Sequence, residues 1–238
     1  MVSNYELNEL RSRGVAENAH VVAPEYHGEA SNSYNPAGRR AVCFIGGYRH
    51  APNVDAAEFL MRDVWPLVRA QDPTIELDIV GSDSPAHFAA LLTPGVNLVG
   101  FVPSISQYLN RVRFSLAPVR YGAGIKLKMI ASLDAGVPVI ATSVAAEGIG
   151  LKPGDGYLVA DDPLEMANLI MSLYHDTEQL KSLSDAGITA VRERYSPKAV
   201  HAHYARVLNA VLGQRPLSGT AELDRKLKQP TVSNATLD

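Results

Sequence analysis

In Arg120–Gly136 (RYGAGIKLKMIASLDAG), glycines and lysines fall at a spacing suited to holding an anion. Gly122 and Gly124 bracket a short turn, and Lys126 and Lys128 follow it. Glycine reaches positive φ and lets backbone approach a ligand closely. A helix opening near Ile125 offers unpaired N–H groups and partial positive charge. Together the turn and the helix start form a ready phosphate site. Lysine this early in a helix opposes the helix dipole, and a bound anion accounts for its placement. The competing reading is an ordinary strand–turn–helix joint with solvated lysines, because glycine motifs recur by chance.

The elements that must position this stretch alternate along the chain. Apolar runs at Ala41–Ile45, Ile75–Val80, Val96–Val99, Arg113–Pro118, Val137–Ala141 and Gly156–Ala160 read as strands. Between them, Asn53–Ala70 reads as one amphipathic helix with Val54, Ala57, Met61, Val64 and Val68 on a face, and Pro52 fits its start. Pro85–Leu92 and Ser104–Asn110 read as shorter helices, the second capped by Ser104. Short apolar strands joined by helices imply a parallel sheet covered on both faces, a doubly wound Rossmann-like α/β domain. Pro163–His175, Thr177–Arg194 and Pro197–Leu212 close it. Ser3–Arg13 reads as a short helix and His20–Ala23 as a strand or edge segment, followed by a Gly-, Ser-, Asn- and Pro-rich loop over Pro24–Arg40. Residues 1–40 therefore read as an interdomain segment leaving an amino-terminal domain that this chain lacks, 41–212 as the α/β domain, and 213–238 as a mobile polar tail.

In such sheets ligands bind beyond the carboxyl ends of the strands. Those ends carry Gly46-Gly47-Tyr48-Arg49-His50, Gly81-Ser82-Asp83, Gly100-Phe101-Val102, Arg120–Lys126 and Thr142–Gly148. Their convergence favours a nucleotide or nucleotide-sugar site over the solvated joint.

Composition narrows the class further. The chain has 238 residues, 46% hydrophobic and 20% charged, with a net charge of −3. That balance argues against a general nucleic-acid binder. No apolar run is long enough for a membrane span, and the N-terminus lacks the apolar core of a secretory signal. One cysteine, Cys43, excludes an internal disulfide framework and suits a reducing, cytoplasmic compartment; it reads as core filler. Trp65 reads as packing. His87 and His175 read as surface groups, and Asp161, Asp162 and Asp176 as turn acids and caps. His201 and His203, two apart on a helix, do not share a face for a metal. Arg111 and Arg113 form at most a small basic patch.

The run of motifs FIGGYRHAPNVDAAEFL, LDIVGS, VGFVPS, APVRYGAGIKLKMI and AGVPVIATSVAAEGI, with RERYSP downstream, resembles the carboxy-terminal domain of GT-B retaining glycosyltransferases of group 1, the family 4 type. The resemblance implies a donor-binding half that transfers sugar from a nucleoside-diphosphate sugar with retention and needs no metal or other cofactor. The acceptor domain, and any peripheral membrane contact through it, lies outside this chain. By position, Gly46 and Gly47 border the donor phosphates, with Arg49 and His50 as available cations. Gly100, Phe101 and Val102 hold the base. Tyr121 through Gly122, Gly124, Ile125 and Lys126 cradle the diphosphate, Lys126 neutralising the leaving group and Glu147 lying near the sugar or ribose. One departure stands out. The glutamate that many relatives use to hold the ribose falls at Ala131, and neither Ser132 nor Asp134 replaces it cleanly. A non-catalytic nucleotide-sugar-binding module is therefore an alternative, and a GT-B-like epimerase a weaker one. An NAD dehydrogenase is weaker still, because the first loop lacks G-x-G-x-x-G.

Overall fold

The computed structural model describes residues 4–14, 20–26 and 34–212. The expected tail at 213–238, and residues 27–33 of the expected loop, lie outside the described residues. The chain divides into two compact units, residues 1–200 and 201–238.

Six parallel strands form one sheet: β1 (Ala41–Ile45), β2 (Leu77–Val80), β3 (Val96–Gly100), β4 (Val112–Ala117), β5 (Val139–Ala141) and β6 (Tyr157–Val159). Their order is β3-β2-β1-β4-β5-β6, the doubly wound Rossmann order. β1 is the pivot. Cys43 lies opposite Asp78 of β2 on one side and Ser115 of β4 on the other. The order in which strands are laid down reverses at β1/β4, so a crevice opens beyond the carboxyl ends of those two strands.

Alternation along β1 separates the two cores. Val42 and Phe44 face one layer, with Leu60, Met61, Val64, Trp65 and Val68. Cys43 and Ile45 face the other, with Tyr108, Leu109, Ala135 and Val137. Cys43 and Trp65 are both fully buried, as packing groups are.

The helix expected over Asn53–Ala70 is in fact composite. α2 (Ala51–Phe59) passes into a π-helical turn at Leu60–Val64 and then α3 (Trp65–Gln71). Pro66 explains it. Proline has no N–H to donate and its ring clashes with the carbonyl four residues back, so the ladder widens locally. Trp65 N–H reaches back to Leu60 O instead. The expected helix at Pro85–Leu92 is a 3-10 helix over Ala86–Leu91. α4 (Ile105–Leu109) is capped by Ser104, whose Oγ accepts from Gln107 N at 3.2 Å.

The segment His20–Ala23 is not a strand. It runs alongside the domain, and Tyr26 N–H donates to Tyr195 O at 3.0 Å. α1 (Asn4–Ser12) precedes it and buries Leu7. α5 (Leu127–Asp134), α6 (Ser143–Ala146), α7 (Pro163–His175), α8 (Thr177–Tyr195) and α9 (Pro197–Val211) complete the chain. Asp162 and Asp176 cap α7 and α8 through their side chains. Among the described residues no helix is long and apolar enough to cross a membrane.

Candidate functional site

The site is built at the β1/β4 crevice by three loops. The first is the turn after β1. Gly46 N–H donates to Val80 O at 2.9 Å, and Tyr48 N–H to Ser82 O at 3.1 Å, so this turn is knitted to the end of β2. The approach is close enough that a Cβ on Gly81 would lie 1.6 Å from Gly46 O. Arg49, an expected site cation, is exposed and reaches Asp83 at 3.1 Å. Asp83 stays below the usual carboxylate range through the Ser82 hydroxyl first and Arg49 second.

The second loop is the stretch after β4. Gly122 and Gly124 take φ of +110° and +86°, conformations that L side chains rarely adopt. A Cβ on Gly122 would sit 3.3 Å from Pro52, so this loop crosses the start of α2 at van der Waals distance. Arg120 makes a two-pronged pair with Asp55 of α2, Nε to Oδ2 at 2.9 Å, and lies 4.9 Å over the Phe59 ring. Arg120 is thus a fastener between β4 and α2.

The helix begins at Leu127, two residues later than expected, which makes Lys126 the N-cap residue. Lysine cannot accept a capping hydrogen bond, and the helix start has no side-chain cap. Lys126 Nζ turns back to its own loop, donating to Gly122 O at 2.9 Å and Gly124 O at 2.8 Å. Burial lowers its pKa, opposed by the carboxylates of Glu147 and Glu6.

The third loop brings Glu147 to that position. Thr142 caps α6, its Oγ1 accepting from Ala145 N at 3.1 Å, while its own N–H donates to Ala117 O at 3.2 Å. Glu147 ends this one-turn helix. The expected pair Lys126 and Glu147, far apart in the chain, therefore share one electrostatic neighbourhood.

Asn53 and Lys128 join the first and second loops. Asn53, in the first turn of α2, donates from Nδ2 to Gly47 O at 2.9 Å and accepts at Oδ1 from Lys128 Nζ at 2.6 Å. Lys128 Nζ also sits 4.6 Å from the centroid of Phe44. Burial, then the charge of Lys126, lowers the Lys128 pKa to about 8. A polar residue directly after Pro52 was the available signal for Asn53.

Beside the crevice, a cleft of about 510 Å³ runs between α4 and α5. Ile105, Ser106 and Leu109 form one wall, and Leu127, Lys128, Ala131 and Asp134 the other. Ala131 and Asp134 thus line the same wall, while Ser132 is turned away and buried. Burial raises the Asp134 pKa, opposed by Arg192. At the end of β3, Gly100 has φ +77°, Phe101 is 72% exposed and Val102 packs into the core with Ile105.

The remaining expectations resolve structurally. Arg111 pairs with buried Asp78 at 3.1 Å, alongside the Tyr108 hydroxyl. Arg113 donates to the carbonyls of Tyr174 and Pro36 at 2.8 and 2.9 Å. Arg113 is thus tied to backbone, while Arg111 stays exposed beside its buried carboxylate partner. Asp161 accepts from Ser143 N–H at 2.8 Å and ties β6 to α6. His87 and His175 are exposed and meet Glu58 and Asp72 at 2.7 and 3.2 Å. No group of three or more His, Cys, Asp or Glu gathers as for a metal among the described residues.

Comparison with known proteins places this geometry. Residues 39–176, more than half of the chain, match the family described as glycosyl transferases group 1. A Klebsiella pneumoniae protein, "Uncharacterized 44.6 kDa protein in cps region", is 24% identical over 168 residues. That match covers 67% of this chain and 43% of the relative, so the chain spans less than half of its length. Among solved structures, TarM of S. aureus, crystallised with fondaparinux, alpha-GlcNAc-glycerol and UDP, superposes with a TM-score of 0.71 at 18% identity, over 87% of this chain and 43% of that one. HepE of Anabaena, in complex with UDP and glucose, gives 0.70 at 14%, over 88% and 62%. Sucrose-phosphate synthase of Thermosynechococcus elongatus gives 0.71 at 20%, over 89% and 57%.

Proposed function

Since this chain belongs to the group 1 glycosyl transferases, we propose that it is the donor-binding part of a retaining enzyme. It passes a hexosyl or related group from a nucleoside-diphosphate sugar to an acceptor held by a second domain. The observation that carries this reading is the convergence at the β1/β4 crevice. The Gly46-Gly47 turn, the Gly122–Gly124 loop and the uncapped start of α5 all follow the carboxyl ends of the adjacent strands β1 and β4, with Lys126 at the helix start.

In this reading the diphosphate takes the backbone N–H groups at the start of α5 and draws the Lys126 ammonium off the Gly122 and Gly124 carbonyls. As the sugar–phosphate bond breaks, negative charge grows on the departing diphosphate. A preplaced ammonium and fixed amides stabilise that charge more than they stabilise bound donor. No metal is called on for this. Gly100, Phe101 and Val102 hold the base, the Phe101 ring being exposed. Glu147, beside Lys126, faces the sugar or ribose. In this reading the reaction is cytoplasmic. Polysaccharide or glycoconjugate synthesis is the setting that the cps-region relative supports.

Isothermal titration of this chain with UDP, GDP and ADP, and then their sugar conjugates, tests the reading. UDP comes first because it is bound in the TarM and HepE structures. One nucleoside diphosphate should bind, and Lys126→Ala should weaken it by about 10- to 100-fold, as expected for a lost charge-assisted bond. A folded chain that binds none of them refutes the donor site. Ala131 favours a second reading, a binding module without transfer activity. That reading keeps the titration result and predicts no sugar transfer once the acceptor half is supplied.

A further inference from the structure

Lys128 occupies the junction between the two anion-facing backbones. From β1 it meets the Phe44 ring, from α2 it meets Asn53, and from the head of its own helix it feels Lys126. Among the described residues Lys126 is the charged group whose field shifts it, and that field repels. Asp134 lies further along the same cleft wall, and Glu147 acts on Lys126. Asn53 carries the contact onward. Its amide holds the Gly47 carbonyl, and its Cβ lies 3.1 Å from where a Cβ on Gly46 would be. A partly buried ammonium with a neutral acceptor and an aromatic face is a poor arrangement for stability alone. It is a good arrangement for a charge that an arriving anion completes.

We infer that Lys128 is a proton-linked positioning residue: through Asn53 it fixes the Gly46-Gly47 turn against the first turn of α5, and diphosphate binding in the crevice draws a proton onto it. This rests on the donor-site reading above. The link follows from charge. Near pH 8 the side chain is about half ammonium in the free protein. A multiply charged diphosphate entering beside it favours the ammonium, so binding takes up a proton from solution. The uptake fades well below pH 8, where Lys128 is already charged.

The test is calorimetric titration near pH 8 in two buffers of different ionisation heat, with UDP, GDP, ADP and inorganic pyrophosphate as probes. The wild-type chain should take up about half a proton on binding. Lys128→Met should lose that uptake and bind about 10-fold more weakly. Lys128→Arg, always charged, should bind within about 3-fold of wild type with no uptake, because guanidinium does not titrate here. Asn53→Ala should weaken binding while keeping the uptake. A Lys128→Met chain that binds equally well overturns the inference, and so does one that keeps the uptake, which would assign the proton to Lys126. If pyrophosphate binds as tightly as every nucleotide, the nucleotide reading fails while the Lys128 arms still decide the positioning role. If no probe binds the wild type, both fail.

Discussion

The placement of Lys128 makes a prediction about stability that is opposite in sign to its prediction about binding. Burial lowers its pKa from 10.5 to about 8, and at neutral pH that corresponds to about 3 kcal/mol spent keeping the ammonium charged in the folded state. Lys128→Met retains most of the stem volume and removes the charge. It also removes the charge-assisted Nζ–Asn53 bond of 2.6 Å, a loss of about 1.5 to 3 kcal/mol. The difference is a gain of up to about 1.5 kcal/mol at pH 7, or a melting temperature raised by up to roughly 6 °C for a domain of this size.

The pH dependence gives the sharper check. Between about pH 8 and 10.5 the unfolded wild-type chain binds a proton at Lys128 that the folded chain does not. Wild-type stability from this group therefore rises with pH in that window. Methionine has no such dependence, so the advantage of Lys128→Met should be largest at pH 7 and shrink steadily toward pH 10. Thermal or urea unfolding followed by circular dichroism across pH 7–10 measures it. A destabilised Lys128→Met, or an advantage that stays constant with pH, refutes the reasoning. Either result would make the lysine an ordinary packing and hydrogen-bonding group.

Two further substitutions test the walls of the site. Ala131→Glu places a carboxylate on the α5 wall of the cleft. Nucleoside diphosphates should gain about 10-fold in affinity relative to inorganic pyrophosphate, the value of one charge-assisted bond to a ribose hydroxyl, and an unchanged ratio by titration would move the ribose out of this cleft. Gly81→Ala puts a methyl 1.6 Å from Gly46 O at a φ of +142°. It should cost about 3 kcal/mol in urea unfolding and displace the first turn, and a loss below about 1 kcal/mol would show that turn to be free to shift.

Much of the architecture could be read from the chain because it is written locally. Strand runs, glycine turns at strand ends and side-chain caps at Ser104, Asp162 and Asp176 are all short-range signals, and each appears where expected. Pro66 was equally local, and a proline inside a helical pattern was the warning of the π turn at Leu60–Val64. His20–Ala23 misled because an apolar run has strand character, yet this one finds no neighbour to pair with in the described sheet. A strand is defined by its partner, and the partner is not in the run.

The site was harder to read because its decisive contacts join elements that only topology makes neighbours. The order β3-β2-β1-β4-β5-β6 sets β1 beside β4 across seventy residues of chain, and with them Asn53 beside Lys128 and Asp55 beside Arg120. No spacing rule contains those pairs. The two lysines show why residue type alone is insufficient. Lys126 is the N-cap residue with non-helical backbone, whereas Lys128 is already in the first turn of α5. The first therefore falls on the loop and the second against the sheet. Lys126 holds exchangeable carbonyl contacts on its own loop, which an incoming phosphate can replace without disturbing the fold. Lys128 is clamped between an amide and an aromatic ring, so it cannot reach outward without loosening the Gly46-Gly47 turn. The two ammoniums thus differ in what holds them, one its own loop's carbonyls and the other an amide and a ring from neighbouring elements, and that division follows from the start of α5 falling between them.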